Sequence, residues 1–187
     1  MKNKQRCDWP GDDILMIEYH DEEWGKPLHN DEKLFEFLIL DTFQAGLSWK
    51  IILNKRENFR KAFHNFNPVK ISKYSEKDFE RLFNDAGIIR NRLKILASIE
   101  NAKKFLEVRK EFGSFDKYIW QFTKYKTVKN KFNNIKDLPA KTSESDEMSK
   151  DMKKRGFKFA GSTVCYAFMQ ASGMVNGHLI KCFRYEQ

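Results

Sequence analysis

The sequence predicts an all-α fold, a helical bundle built on one continuous core. Three observations carry that expectation. Glycine and proline are sparse, 9 and 4 in 187 residues. Apolar residues recur at helical spacing, and no stretch alternates with the period of two that a half-buried strand needs. Cap signals stand where the apolar stripes begin. A 41% hydrophobic content with 17 Phe is too apolar for a disordered chain. No apolar run approaches the ~18 residues of a membrane span.

The elements follow in order. Asn30 caps Asp31-Glu-Lys-Leu-Phe-Glu-Phe-Leu-Ile-Leu, whose first turn is acidic. Leu34, Phe35, Phe37, Leu38, Ile39 and Leu40 put apolar side chains nearly all round it, so it should be buried on most faces. Ser75 to Asp78 reads as a capping box, Phe79, Leu82 and Phe83 as the stripe it opens, and Gly87 as its stop. A basic helix from about Arg90 presents Ile95, Ile99, Ala102 and Leu106 on one face. Phe115 to Thr123 is a short helix. Thr142 opens another, carrying Met148 and Met152, and Gly161 to Met174 is helical by length, with Cys165 in its core. Residues 130–141 form a loop. One domain spans residues 1–187, with a hairpin lobe over roughly 30–140 and a second lobe joining the two terminal segments.

The net charge of +9 is clustered. Residues 1–89 hold 14 Lys/Arg against 16 Asp/Glu; residues 90–131 hold 12 against 4, and residues 150–158 hold 5 against 1. Such an excess suits a polyanion-binding face, or a lysine-rich solvated one. Three cysteines argue against a disulfide framework and fit a reducing cytoplasm. The basic start leads into Asp and Trp, without the apolar body of a secretory signal.

Five groupings could carry chemistry. Phe83 to Lys94 reads as two helices joined by a turn with Gly87, Ile88 and Ile89, followed by Arg90, Arg92 and Lys94. Unpaired N–H groups at a helix start bind phosphate, although many helix–Gly–helix connections bind nothing. Gly46 and Leu47 sit in a corner before Trp49, where Leu47 could wedge between base steps or simply pack. Asp41 ends a strongly apolar run; it is either a buried functional carboxylate or a helix-end cap. Cys7 and His20 near one end, with His178 and Cys182 at i and i+4 near the other, could together hold a tetrahedral zinc ion that ties the termini. His29 and His64 read as loop or surface residues. Trp9, Tyr19, Trp24 and Trp49 offer rings for a flat ligand, or for a two-lobed core.

Tyr19-His-Asp-Glu-Glu-Trp-Gly25, Gln44-Ala-Gly-Leu-Ser-Trp49, Asp85-Ala-Gly-Ile-Ile-Arg90, Lys153-Lys-Arg-Gly-Phe-Lys-Phe159 and Cys165-Tyr-Ala-Phe-Met-Gln170 occur in that order. From Cys7 to Cys182 the chain closely resembles the bacterial 3-methyladenine DNA glycosylase I (Tag) family of helix–hairpin–helix glycosylases. The resemblance implies a structural zinc site on Cys7, His20, His178 and Cys182. It implies that Tyr19 and Trp49 touch a flipped base beside Trp9 and Trp24, that Gly46 and Leu47 fill the gap in the duplex, and that the hairpin holds the backbone. It further implies base-excision removal of N3-methyladenine from alkylated double-stranded DNA, without lyase activity, by a cytoplasmic monomer with no obligate protein partner and no membrane association. Two positions depart from the family. Its pocket glutamate falls on Asp41, and a second pocket tyrosine falls on Met16. Those departures keep two other readings open, a non-catalytic helix–hairpin–helix DNA binder and a zinc-stabilised protein-interaction module.

Overall fold

A computed structural model describes residues 4–186. Its helices are α1 (Ile14–Glu22), α2 (Asp31–Gln44), α3 (Trp49–Ala62), α4 (Pro68–Ile71), α5 (Glu76–Phe83), α6 (Arg92–Phe112), α7 (Phe115–Trp120), α8 (Ser143–Lys154) and α9 (Ser162–Ala171). α2 is the axis of the molecule. Leu34 through Phe43 are buried without a break, and α3, α6, α7 and α9 pack around it. The reason is the all-round apolar pattern, which leaves no side fit for water. Asn30 caps it as expected, accepting from the Lys33 N–H at 2.9 Å. Asp31 then looks outward and accepts from the N–H groups of Phe115 and Asp116 at 3.0 and 2.9 Å, which fixes the start of α7.

The Ser75–Asp78 capping box forms, with Asp78 accepting from the Ser75 N–H at 3.0 Å. Met148, Met152 and Cys165 lie in the core. Several boundaries differ from the sequence reading. α5 ends at Phe83, four residues before Gly87. Gly87 is there for space: a Cβ would stand 2.9 Å from Asp85 Oδ1 and 3.2 Å from Asn58 Cβ. α6 begins at Arg92 behind Asn91, whose Oδ1 accepts from the Lys94 N–H at 3.1 Å. His178 to Cys182 is a turn, not a helix. α1, α3 and α4 carry no strong sequence signal, and a short parallel ladder pairs β1 (Val128–Lys129) with β2 (Val175–Asn176). The fold is therefore mostly helical rather than purely so.

Two connections hold the terminal segments and the central helices in place. Arg56 on α3 donates to Glu23 at 2.7 and 2.8 Å and to Glu36 at 2.6 Å, locking α1, α2 and α3 together. The C-terminal end of α9 lies backbone against backbone on residues 25–28, through Gly25 N–H to Gln170 O at 2.9 Å and Leu28 N–H to Ser172 O at 3.0 Å. Gly173 makes that approach possible. Its φ is +71°, and a Cβ there would stand 2.1 Å from the Lys26 carbonyl carbon. Gly173→Ala should therefore cost at least about 3 kcal/mol, a drop in Tm of roughly 6–12 °C. A loss below about 1 kcal/mol in a denaturant titration would refute the close-approach account.

Candidate functional site

The four expected rings converge. Trp9, Tyr19, Trp24 and Trp49 line one cavity of 240 Å³ together with Asp41, Gln44, Ile135, Leu138, Gln170, Gly177, Leu179 and Cys7. Tyr19 comes from α1 and Trp49 from the first turn of α3; their centroids are 5.1 Å apart at 47°. Trp9 meets Trp24 edge to face at 5.1 Å. Gly177 gives the Trp24 ring its room, since a Cβ there would stand 2.9 Å from it. Met16 does not join them. It packs half-buried against the core one turn before Tyr19, outside the cavity lining. Gln44 and Gln170 stood within the sequence motifs without a role. Ile135 and Leu138 come from an aperiodic loop that gave no signal.

Asp41 is 3% exposed and reaches the cavity from the last turns of α2. Its Oδ2 has no hydrogen-bond partner among the described residues, and neither have the indole nitrogens of Trp9 and Trp49. The capping role is excluded by this burial. Burial pushes the Asp41 carboxyl well above the usual carboxylate range. Burial, and then Asp41, push the Tyr19 phenol up as well. Glu36, on the same helix, shows the contrast: its carboxylate accepts from Arg56 at 2.6 Å and from Arg60 at 2.8 Å. Asp41 has no such partner, and burial alone biases it towards the protonated form.

Cys7, His20, His178 and Cys182 are all buried, with their four ligand atoms within 4.8 Å of one another. Sγ of Cys182 lies 3.5 Å from both His20 Nε2 and His178 Nδ1, and Sγ of Cys7 lies 3.7 Å from His178 Nδ1. Tetrahedral bonds of about 2.3 Å to sulfur and about 2.05 Å to nitrogen place those atoms about 3.5 Å apart, so the set fits a tetrahedral metal ion. The far side of each ring agrees. His178 Nε2 faces the Trp24 carbonyl at 3.0 Å, which can only accept, so Nε2 carries the proton and Nδ1 turns its lone pair inward. His20 Nδ1 faces Asp21 at 2.8 Å, leaving Nε2 bare. Arg6 grips that Asp21 carboxylate at 2.7–3.0 Å; against the cost of burial, Arg6 and His20 hold it below the usual carboxylate range. Backbone N–H groups of Leu179 and Arg184 donate to the two sulfurs at 3.4 and 3.5 Å. Cys7, then the two imidazoles, pull the Cys182 thiol well below the usual thiol range, and the same pairing pushes Cys7 up.

The turn between α5 and α6 brings Gly87, Ile89, Arg90 and Arg92 to the start of α6. Arg90 and Arg92 are exposed, and Arg92 lies over the Phe79 ring at 4.8 Å. Gly46 is exposed at φ +79°, next to Leu47. Lys94 departs from the sequence reading. It is 6% exposed, and its Nζ donates to Phe43 O at 2.8 Å and Ala45 O at 2.6 Å rather than facing outward.

Residues 9–185 match the profile of a family described as methyladenine glycosylase. The chain is 48% identical over 181 residues to DNA-3-methyladenine glycosylase 1 of Escherichia coli strain K12, covering 97% of each. A crystal structure of 3-methyladenine DNA glycosylase I superposes with a TM-score of 0.94 at 46% identity, covering 97% of this chain and 100% of that one. A tyrosine-to-phenylalanine variant of 3-methyladenine DNA glycosylase I, in complex with 3-methyladenine, superposes with a TM-score of 0.94 at 31% identity, covering 97% and 98%.

The upward shift of the Asp41 carboxyl has a measurable consequence. Between an unfolded carboxyl pKa of about 3.9 and the raised folded value, the folded chain keeps a proton that the unfolded chain has released. Stability therefore falls as pH rises through that window. Asp41→Asn should be more stable than the parent at pH 8, by about 1–2 kcal/mol, with the difference vanishing towards pH 4. Denaturant titrations at both pH values test this; a difference that does not grow with pH would count against it.

Proposed function

Since the chain belongs to the methyladenine glycosylase family, we infer that it flips N3-methyladenine out of alkylated duplex DNA and removes it hydrolytically, leaving an abasic site. The observation that carries this reading is the buried, unpaired Asp41 carboxyl in a cavity walled by four aromatic rings.

Methylation at N3 leaves the base of the nucleotide cationic, which weakens its bond to C1′ and makes it a good leaving group. The protein then needs little general-acid chemistry and must mainly select, orient and exclude. A damaged base costs less to unstack. Once inside, its positive charge favours ionisation of Asp41, whose carboxylate accepts from the exocyclic amine. Neutral adenine offers no such compensation, so the same carboxyl discriminates against it. The faces of Tyr19 and Trp49 add cation–π attraction of about 0.5–2 kcal/mol, with Trp9 and Trp24 closing the sides. Asp is one methylene shorter than the family's glutamate, and a bridging water can span that gap. Water oxygen bonds to C1′ as the C1′–N9 electron pair leaves with the base, and the water's proton passes to solvent. No lysine lines the cavity among the described residues, which supports hydrolysis without a Schiff base.

The α6 start, with its backbone N–H groups, Gly87, Ile89, Arg90 and Arg92, grips phosphates. Gly46 and Leu47 occupy the space that the extruded base leaves. The metal is zinc, by the chemistry of two thiolates and two imidazoles. When bound, it supplies a cross-link between the terminal segments and takes no part in the reaction. The relatives are bacterial, which supports a cytoplasmic setting.

Purified protein should release 3-methyladenine from methylated duplex DNA, read by chromatography of the free base; no release sinks the reading. Asp41→Asn should lower the single-turnover rate by about 10²-fold. Metal analysis should find close to one zinc per chain, and a strong chelator should lower Tm; less than about half a zinc per chain rejects the metal assignment.

A further inference from the structure

Two lysines beside the hairpin, buried Lys94 and half-buried Lys55, spend their ammonium groups on backbone carbonyls. Lys94, in the first turn of α6, donates to Phe43 O at 2.8 Å and Ala45 O at 2.6 Å, the carbonyls at the C-terminal end of α2. Those carbonyls have no partner further along the helix, and a cation there is favoured by the helix dipole. Lys55, on α3, reaches the opposite way and donates to Ala86 O and Gly87 O in the hairpin turn at 3.1 and 3.3 Å. The corner between α2 and α3 is closed on itself by Gln44 Nε2 to Leu47 O at 2.7 Å and Leu47 N–H to Gln44 O at 2.6 Å. Gln44 also lines the cavity.

We propose that Lys94 is a positioning residue that, with Lys55, welds the hairpin to the Gly46–Leu47 corner so that both meet one duplex in fixed register. This rests on the glycosylase reading above. Lys94 sets the reach of Leu47 relative to the phosphates held at Arg90 and Arg92, and leaves the base cavity itself as it is. It carries no phosphate itself.

Lys94→Met keeps the stem and removes the ammonium. With undamaged duplex, the slope of log affinity against log salt should stay unchanged; a phosphate ligand would lower it by about 0.9. Affinity for free 3-methyladenine should stay within twofold. The single-turnover excision rate at saturating protein should fall at least tenfold, because misplacement of about 1 Å costs up to 10²-fold. Hydrogen exchange at residues 45–48 and 84–91 should quicken. A slope lowered by about one, or an unchanged excision rate, overturns the proposal. If Lys94→Met fails to fold, Lys55→Met should show the same pattern with about a threefold loss, and no loss there overturns it too. Should the parent protein release no base, the glycosylase reading fails by itself, and unchanged exchange in the variant still overturns the weld.

Discussion

A helix with no side fit for water organises this molecule. α2 is buried from Leu34 to Phe43, so every neighbour has to cover it, and any charge on it enters the interior with it. Two carboxyl groups do. Glu36 is met by Arg56 and Arg60, which turns a buried charge into a clamp on α3 and, through Glu23, on α1. Asp41 is met by nothing charged. Burying a carboxyl without a partner costs stability, and neutralisation lessens that cost without removing it. The fold therefore holds a standing local penalty where a cationic ligand would relieve it. On the proposed function, selectivity for a charged base and poor local stability have one cause.

Much of this was readable from residue order, because it is local. The burial of α2 follows from its all-round apolar pattern, and the Asn30 and Ser75 caps from their side chains. The convergence of Trp9, Tyr19, Trp24 and Trp49, and of four metal-ligating residues from opposite ends, was legible only as a pattern of motifs; no spacing places Cys7 beside Cys182. What was missed is tertiary. α1 and α3 are amphipathic only against partners that their own residues do not name. Ile135 and Leu138 line the cavity from a loop whose Phe132 and Leu138 pack against Leu179, far away in sequence. Lys94 looked like a phosphate ligand because three basic residues follow the turn at alternate positions, 90, 92 and 94. A helix starting at Arg92 sends them to different sides, and Lys94 faces inward.

The cavity and the cysteine–histidine cluster are one construction. Cys7 lines the cavity and belongs to the cluster, and Leu179 lines the cavity while its N–H donates to the Cys7 sulfur. Trp24 gives its ring to the cavity wall and its carbonyl to His178. Trp9 stands edge-on to both Trp24 and His20, at 5.1 and 5.4 Å. Half the aromatic wall thus packs directly on the residues of that cluster.

The charge pattern changes meaning in three dimensions. The segment with 12 basic and 4 acidic residues looks massed at the hairpin, yet half of it is a rod. α6 has 21 residues and so spans roughly 30 Å. Along it Lys103 pairs with Glu100, Lys104 with Glu107 and Arg109 with Asp31. The second basic run is tied to the same helix, since Arg155 bonds Glu111 at 2.7 Å. At the turn itself Arg90 and Arg92 face outward, while Lys94 and Lys55 hold carbonyls. A net charge over a sequence window averages along the chain, whereas a duplex meets only what one face presents. Here the turn exposes two arginines beside a helix start whose Lys94 N–H is capped by Asn91. On the proposed function, grip on a duplex rests on the placement of those few donors more than on bulk attraction.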